Sequence, residues 1–349
     1  MTTVQAWGPA SAGAAIEPMT IERRAVGAQD VRIDIIAAGI CHSDIHQVRE
    51  EWGPATFPMV PGHEIVGRVA ELGADVQGFT LGELVGVGCF VDSCRECDNC
   101  KAGLQNYCER NGVAWTYNSR NARTNEVTYG GYSQSIVVDA GYVLHVPESL
   151  DPNGAAPLLC AGITLWSPLR HWNVTAGSRV GIIGLGGLGH MGVKLAVALG
   201  AEVTVFSHSE GKRADAMALG AHAFVNSGDA DAMRALGSTL DVIVNTVSAD
   251  INLNPYLMTL RQDGSLVIVG LPSNPVPVSV GVLTSRRRSV AGSSIGGIPE
   301  TQEMLDFCGE HGIVSDVEVV PPSYIEEAYR RVVASDVKYR FVIDVNAGS

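Results

Sequence analysis

Four cysteines stand close together in this chain, Cys94, Cys97, Cys100 and Cys108, in the spacing C-x2-C-x2-C-x7-C. That spacing can close four thiolates around one tetrahedral ion and leave no open position. Zn2+ suits an all-sulfur cage because it has no redox chemistry and no geometric preference of its own. Iron–sulfur runs of the ferredoxin type end in C-x3-C-P, not after a seven-residue gap, so a structural zinc is expected here. A second set of soft donors lies elsewhere. Cys41-His42-Ser43-Asp44-Ile45-His46 follows a strand-like stretch, Gly62-His63-Glu64 comes soon after, and Cys160 lies farther on. A catalytic zinc takes three protein ligands and keeps a fourth position open, and two cysteines with one histidine form such a set. Cys41, His63 and Cys160 can supply it, although spacing alone does not single out Cys160.

A glycine loop follows both. Gly184-Leu185-Gly186-Gly187-Leu188-Gly189 lies between an apolar run, Val180 to Ile183, and a helical pattern from Leu188 to Leu199. That placement turns a weak G-x-G-x-x-G pattern into a dinucleotide site. Gly184 permits the tight turn, Gly186 lets the backbone approach a pyrophosphate, and Gly189 lets helix and strand pack closely. The helix N-terminus then offers free N–H groups to phosphate oxygens. The end of the next strand separates NAD from NADP, because NAD sites place an acid there for the ribose 2′-hydroxyl. Here Glu202 to Phe206 runs into Ser207-His208-Ser209-Glu210-Gly211-Lys212-Arg213. Ser207 stands in place of the acid, and hydroxyls with Lys212 and Arg213 suit a 2′-phosphate. NADP(H) is therefore expected, with Glu210 partly offsetting the two cations.

The elements that must position these groups change character along the chain. To about Pro147 the pattern is one of short strands and turns: Val31-Arg32-Ile33-Asp34-Ile35 alternates apolar and polar residues, and Glu64–Ala70 and Tyr132–Val138 read similarly. Asp151 can cap a long apolar helix running through Ala155 to His171. Strands at Val180, Glu202–Phe206, Asp241–Asn245 and Ser265–Val269 then alternate with helices, Lys212–Leu219 among them, which implies a parallel sheet covered by helices. After Val290 come a helix (Pro299–His311), a strand (Val317–Val320), a helix (Ser323–Ala334) and a last strand (Tyr339–Val345), read as a return to the first domain. The 349 residues suggest two domains. A net charge of −13 argues against sequence-independent nucleic-acid binding. The first residues show no basic leader with an apolar core, and the most apolar stretch, Val180–Ala201, is broken by glycines, His190 and Lys194, so no membrane span is expected. The cysteines are accordingly expected as thiols or metal ligands in a reducing cytoplasm, with Cys89 and Cys308 as small buried hydrophobes.

Together these segments resemble the zinc-dependent medium-chain alcohol dehydrogenases, and among them the cinnamyl-alcohol-dehydrogenase-like branch with its bacterial broad-range aldehyde reductases. The likeness rests on Ala38–Asp44, Pro58–Glu64, the four-cysteine lobe, Pro157–Thr164, Gly184–His190 and Tyr339–Asp344. It implies an α/β chain in which a Rossmann nucleotide-binding domain (151–290) is inserted into a GroES-like β-rich catalytic domain (1–150, completed by 291–349). It implies two Zn2+ per chain and NADP(H). Cys41, His63 and Cys160 would hold the catalytic zinc, Glu64 would approach or transiently ligate it, and Asp44 would orient His63. His42 and Arg340 would face the pyrophosphate, and Thr164 the nicotinamide. Ser293 and Ile295 would line the cofactor, while Ser43 and His46 would relay the proton. Trp52, Trp115 and Ile295 would line a channel for hydrophobic or aromatic primary alcohols and aldehydes. Pro275–Val280 reads as an edge strand that would join two copies into a homodimer. The polar segment Asn118–Thr128 carries no sharp reading. Two other functions fit parts of the pattern. One is an NAD-dependent polyol or secondary-alcohol dehydrogenase, disfavoured by Ser207 and Lys212. The other is a non-enzymatic zinc- or nucleotide-binding sensor, disfavoured by the second ligand set.

Overall fold

The computed structural model describes residues 1–110, 112–272 and 274–347. Two strands, β1 (Thr2–Gly8) and β2 (Glu17–Arg23), pair antiparallel at the start. β3 (Asp30–Ile40) carries the alternation of Val31–Ile35 on into small residues, Ala37, Ala38 and Gly39, so neighbours approach it closely on both edges. A short helix, α1 (His42–Val48), leaves its end. β4 (Ile65–Leu72) and β5 (Leu84–Val87) follow, then β6 (Phe90–Asp92), a one-turn helix α2 (Asp98–Lys101), β7 (Ala114–Trp115), β8 (Ser135–Asp139) and β9 (Leu144–His145).

The expected helix through Ala155–His171 is broken. α3 (Pro152–Ala155), capped by the Asp151 carboxylate at 3.0 Å from Gly154 N, tightens into a 3-10 turn over Ala156–Leu159. The backbone leaves helical geometry at Cys160 (φ −130°, ψ −68°), and α4 (Ala161–His171) starts afresh. A proline inside a helical run removes a donor and crowds the preceding turn, and Pro157 sits within this one.

The chain then builds β10 (Arg179–Ile183), α5 (Gly189–Ala198), β11 (Glu202–Ser207), α6 (Arg213–Ala218), β12 (Ala223–Asn226), α7 (Ala230–Ala235) and β13 (Leu240–Asn245). α8 (Asn254–Thr259), β14 (Leu260–Ile268), α9 (Val280–Thr284) and β15 (Ser289–Gly292) complete this part. It closes with α10 (Ile298–His311), β16 (Val317–Val320), α11 (Ile325–Val333) and β17 (Arg340–Asp344).

Two compact units result, residues 1–160 with 296–349 and residues 161–295. The boundaries fall later than the expected 150 and 290. The difference at the first one has a packing cause: Ala155, Ala156, Leu158 and Leu159 are fully buried, and Leu159 lies against Gly86 and Gly88 of the first unit. In that unit β17 and β8 share one edge of β3, at its end and its beginning, while β4 takes the other edge, giving the order β16-β17-β3-β4-β5-β9. The second unit holds a six-stranded parallel sheet, β12-β11-β10-β13-β14-β15. This is the doubly wound order in which a dinucleotide binds past the strand ends where the order reverses. The expected edge strand at Pro275–Val280 is not a strand here. Val276 and Val278 pack on the sheet's apolar core while Pro275 and Pro277 face out, and Val280 opens α9. The two prolines offer no N–H, so this segment has few groups with which to join a ladder. No helix among the described residues is long and apolar enough to cross a membrane.

Candidate active site

β-Sheet register assembles the second ligand set. Pairing of Ala38 with Ile65 continues as Gly39 N–H donating to the Glu64 carbonyl at 2.9 Å, which brings the end of β3 against the residues entering β4. Cys41 then caps α1, with Ser43 in the first turn. On the other edge Ile40 faces Phe341, which sets Arg340 beside the same point. The break at Cys160 supplies the last donor. The donor atoms of Cys41, His63, Glu64 and Cys160 all lie within 4.8 Å of one another, and all four residues are buried.

Asp44, fully buried, ties this cluster together. It accepts from Cys41 N at 2.8 Å, Gly62 N at 3.2 Å, His63 Nδ1 at 3.0 Å and the Tyr132 hydroxyl at 3.2 Å. A carboxylate only accepts, so a neutral His63 carries its proton on Nδ1 and turns its Nε2 to Cys160 Sγ, in hydrogen-bond contact at 3.3 Å. Tyr117 stacks on His63 with ring centroids 5.9 Å apart. Gly39 has a specific reason to be glycine, because a Cβ there would run into the Glu64 carboxylate.

The electrostatics are those of donors short of positive charge. A bond from Cys160 holds the Cys41 thiol well below its ordinary range against burial, helped by the Arg340 charge. The Cys160 thiol is pushed well up by its contacts with Cys41 and Cys89 and by burial. Burial opposes the charged form of His63, yet Asp44 brings its value out well above the ordinary one. Burial raises Glu64 to about 7 even though Arg340 pairs with it. Glu64 Oε2 and Arg340 Nε are buried without a hydrogen-bond partner. Two thiols, an imidazole nitrogen turned toward them and a buried carboxylate oxygen without a partner are donors that fit Zn2+, and a divalent ion would supply positive charge among them.

The four-cysteine lobe is satisfied differently. Its donor atoms also lie within 4.8 Å of one another. Backbone N–H groups point at the sulfurs: Cys97 N to Cys94 Sγ at 3.3 Å, Cys100 N to Cys97 Sγ at 3.5 Å, Cys94 N to Cys108 Sγ at 3.5 Å. Ser93 Oγ adds a contact to Cys100 Sγ at 3.2 Å. Backbone N–H bonds lower the Cys97 thiol to about 6, whereas burial raises that of Cys100 to about 12. N–H donors around thiolates are what a closed tetrahedral metal needs around it.

In the second unit Gly184 takes a left-handed φ of +90°, and a Cβ at Gly189 would strike the Gly184 carbonyl, so both glycines are required by the turn. Beside Gly186 the space is open, as a cradle for a pyrophosphate should be. Gly187 and Leu188 lead into α5. Ser207 closes β11 and accepts from Ser209 N at 3.2 Å, and His208 between them is exposed. The two expected phosphate-binding cations have partners of their own. Lys212 Nζ donates to the Leu185 carbonyl of the glycine loop at 2.7 Å. Arg213 pairs with Glu210, donates to the Phe224 carbonyl at 3.1 Å and lies over the Phe224 ring.

Other expected residues fall in varied settings. Thr164 is buried in α4. Ser293 N donates to Ile268 O at 3.1 Å, past β15. Ile295 holds a φ of +43°, strained for a β-branched residue. His42 opens α1 and is exposed. His46 stacks on Trp52, and Trp52 and Trp115 are both exposed. Arg340, expected to face the pyrophosphate, is 4% exposed and its guanidinium pairs with Glu64. Cys89, expected as an ordinary hydrophobe, is half-buried beside Cys160, its thiol donating to the Leu159 carbonyl at 3.7 Å. Tyr117 and Tyr132 carried no sequence signal, because only the sheet register brings them to Asp44.

Comparison with known proteins agrees with this architecture. Residues 27–148 match the family described as alcohol dehydrogenase GroES-like domain, and residues 187–310 the one described as zinc-binding dehydrogenase. The chain is 56% identical over 344 residues to NADP-dependent alcohol dehydrogenase C 1 of Mycolicibacterium smegmatis, covering 99% of this chain and 98% of that protein. It is 53% identical over 343 residues to aldehyde reductase YahK of Escherichia coli, covering 98% of each. Among solved structures, a cinnamyl alcohol dehydrogenase from Sorghum bicolor superposes with a TM-score of 0.95 at 44% identity, over 100% of this chain and 99% of that one. The CAD from Helicobacter pylori complexed with NADP(H) gives 0.92 at 41% identity over the same shares. The chain belongs to the zinc-dependent medium-chain alcohol dehydrogenases, in their cinnamyl-alcohol-dehydrogenase-like branch.

Proposed function

We propose that this protein is an NADP(H)-dependent zinc alcohol dehydrogenase, or aldehyde reductase, that interconverts primary alcohols and aldehydes of aromatic or medium-chain type over a broad range. The observation that carries the reading is the buried meeting of Cys41, His63, Glu64 and Cys160 at one point. Zinc on Cys41, His63 and Cys160 would supply Lewis acidity toward the substrate oxygen, and the nicotinamide would supply or accept the hydride. The chain's own residues orient and move protons. Asp44 fixes the His63 tautomer. Glu64, held by Arg340, stands ready to approach the metal. Ser43 exchanges a proton with the substrate oxygen and His46 passes it to solvent. Cys94, Cys97, Cys100 and Cys108 would hold a second zinc with no open position, which would stiffen that loop.

Residues 1–160 with 296–347 would form the catalytic domain and 161–295 the nucleotide domain. The preference for NADP(H) is supported by Ser207 at the end of β11, which puts no acid against a 2′-phosphate, and by the names of the relatives above. Lys212 keeps two further protons for a phosphate while bonded to Leu185, whereas Arg213 would have to leave Glu210. His42, Thr164, Ser293 and Ile295 would contact the cofactor, and Trp52, Trp115 and Ile295 the substrate. The protein would work as a cytoplasmic homodimer, and light scattering that gives a monomer mass would reject the dimer. Assay of an aldehyde panel with NADPH and NADH tests the function. Faster turnover of aromatic aldehydes with NADPH is expected. A strong NADH preference, or activity on polyols only, would overturn it.

A further inference from the structure

The Asp44 carboxylate is held at both oxygens. Oδ1 accepts from Gly62 N at 3.2 Å and His63 Nδ1 at 3.0 Å, and Oδ2 from Cys41 N at 2.8 Å and the Tyr132 hydroxyl at 3.2 Å. A carboxylate offers about four lone-pair sites, so these donors fill it. Three of them belong to the ligand segments themselves, Cys41 and Gly62-His63. Tyr132 alone comes from elsewhere in the chain. It is fully buried, and its backbone is tied on both sides: its N–H donates to the Pro61 carbonyl at 2.9 Å, and its carbonyl accepts from Trp7 N at 2.8 Å. The two residues before it are fastened to the same stretch, Gly130 N to the Val60 carbonyl at 2.7 Å and Gly131 N to the Gly62 carbonyl at 2.9 Å. Gly62 holds a left-handed φ of +103°, and a Cβ on it would run into the Tyr132 ring. The ring therefore lies directly against the residue before His63, with its hydroxyl on the carboxylate behind His63. Glu64, in the same cluster, keeps a buried oxygen without a partner among the described residues. Complete satisfaction is thus particular to Asp44 and is not general to the buried acids of this site.

We infer that Tyr132 is a positioning residue of the catalytic metal site: its hydroxyl locks the Asp44 carboxylate, and through it the His63 ring and the turn that carries Cys41. The inference rests on the zinc reading of Cys41, His63 and Cys160 given above. The last torsion of an aspartate side chain is broad and soft, so its carboxylate plane is set by its hydrogen bonds and not by its own rotamer. With the hydroxyl gone, Oδ2 keeps the Cys41 N–H alone, and a buried, charge-assisted bond is lost. The carboxylate can then roll. Its two oxygens move as one rigid group, so a roll that re-centres Oδ2 shifts Oδ1 away from His63 Nδ1. The ligand histidine loses its fixed orientation, although no ligand atom has been removed. Partners behind a metal ligand govern affinity in this way.

The test compares the parent with Tyr132→Phe, Asp44→Asn and the double variant. Phenylalanine keeps the ring against Gly62, so Tyr132→Phe should fold. Zinc transfer to a chelating dye is followed to equilibrium, and Cys160→Ser, which should keep the lobe's zinc alone, marks the phase that belongs to the lobe. Tyr132→Phe should weaken the other zinc about tenfold, at the low end for loss of a ligand's supporting partner, and leave the lobe's zinc unchanged. With Co2+ in place of zinc, the visible absorption of that site should shift in Tyr132→Phe. In the Asp44→Asn background Tyr132→Phe should cost less than it does alone. A merely structural hydroxyl would lower Tm without separating the two metals. If both zincs leave Tyr132→Phe as they leave the parent, or weaken together, the role of Tyr132 is overturned and the zinc reading stands. A full tenfold loss in the Asp44→Asn background would overturn the path through Asp44. If the parent itself holds zinc in the lobe alone, the zinc reading falls, and the Tyr132 inference with it.

Discussion

The two thiol clusters use similar donors and are built in opposite ways. The four-cysteine lobe takes all its ligands from one short loop, and the backbone N–H groups of that loop point at its sulfurs. The cluster of Cys41, His63, Glu64 and Cys160 takes its donors from the end of β3, the approach to β4 and the break before α4, and it keeps a buried carboxylate oxygen without a partner. A local loop can close a cage completely. Donors brought from three segments of a folded unit can stop at three and keep a place open. The difference between a stiffening metal and a reactive one is thus a difference in how much of the chain must fold first.

Four experiments would break or sharpen that contrast. The largest effect is expected from Cys160→Ser, which should remove one metal and lower kcat by at least about a thousandfold, since a metal's charge stabilisation is worth several kcal/mol, while leaving Tm close to the parent. Cys97→Ser should do the reverse, losing thermal stability and the lobe's metal first. Circular-dichroism melts with metal analysis separate the two, and like behaviour would erase the distinction. Next, Asp44→Asn should weaken binding of the catalytic metal about 10–100-fold, as loss of a ligand's hydrogen-bond partner usually does. Ser93→Ala, the comparable change beside Cys100, should cost about 1 kcal/mol. Chelator competition reads both.

Smaller again, Gly39→Ala should destabilise the protein by about 1–3 kcal/mol through overpacking against Glu64, measured by urea denaturation. The last is a pH effect in the lobe. Cys97 has a folded value of about 6, against 9.0 for a free thiol. A depressed acid stabilises the fold fully above the unfolded value and loses that contribution as pH falls through the folded one. The metal-free lobe should therefore lose its Cys97 thiolate as pH drops through about 6, read as loss of ultraviolet thiolate absorbance against Cys97→Ser. Absorbance that falls only near the ordinary thiol range would contradict the backbone's hold on that sulfur.

Much of this was legible in residue order because it is local. The cysteine spacing, the glycine loop and the strand–helix rhythm of residues 180–292 each depend on neighbours in sequence, and the structure builds them where that rhythm predicts. What the sequence hid depends on register and on breaks. Cys160 read as mid-helix and turned out to sit where a helix fails. The pairing of Arg340 with Glu64 comes from β17 aligned on β3, which no local pattern shows. Cys89 looked like a lone apolar thiol until β5 and β6 set it beside Leu159. Pro275–Val280 read as a strand from its alternation, and that alternation instead seats two valines on the core. A glycine within a strand pattern marks a close approach, and Gly39 is where Glu64 comes in.

The most direct test of two differently built metal sites is zinc content with X-ray absorption on the purified protein and on Cys160→Ser. Two zincs per chain with mixed sulfur and nitrogen neighbours are predicted for the parent. The variant should keep one zinc, surrounded by sulfur alone. Two zincs remaining in Cys160→Ser, or an all-sulfur signal in the parent, would contradict the assignment of Cys41, His63 and Cys160 to a separate reactive metal.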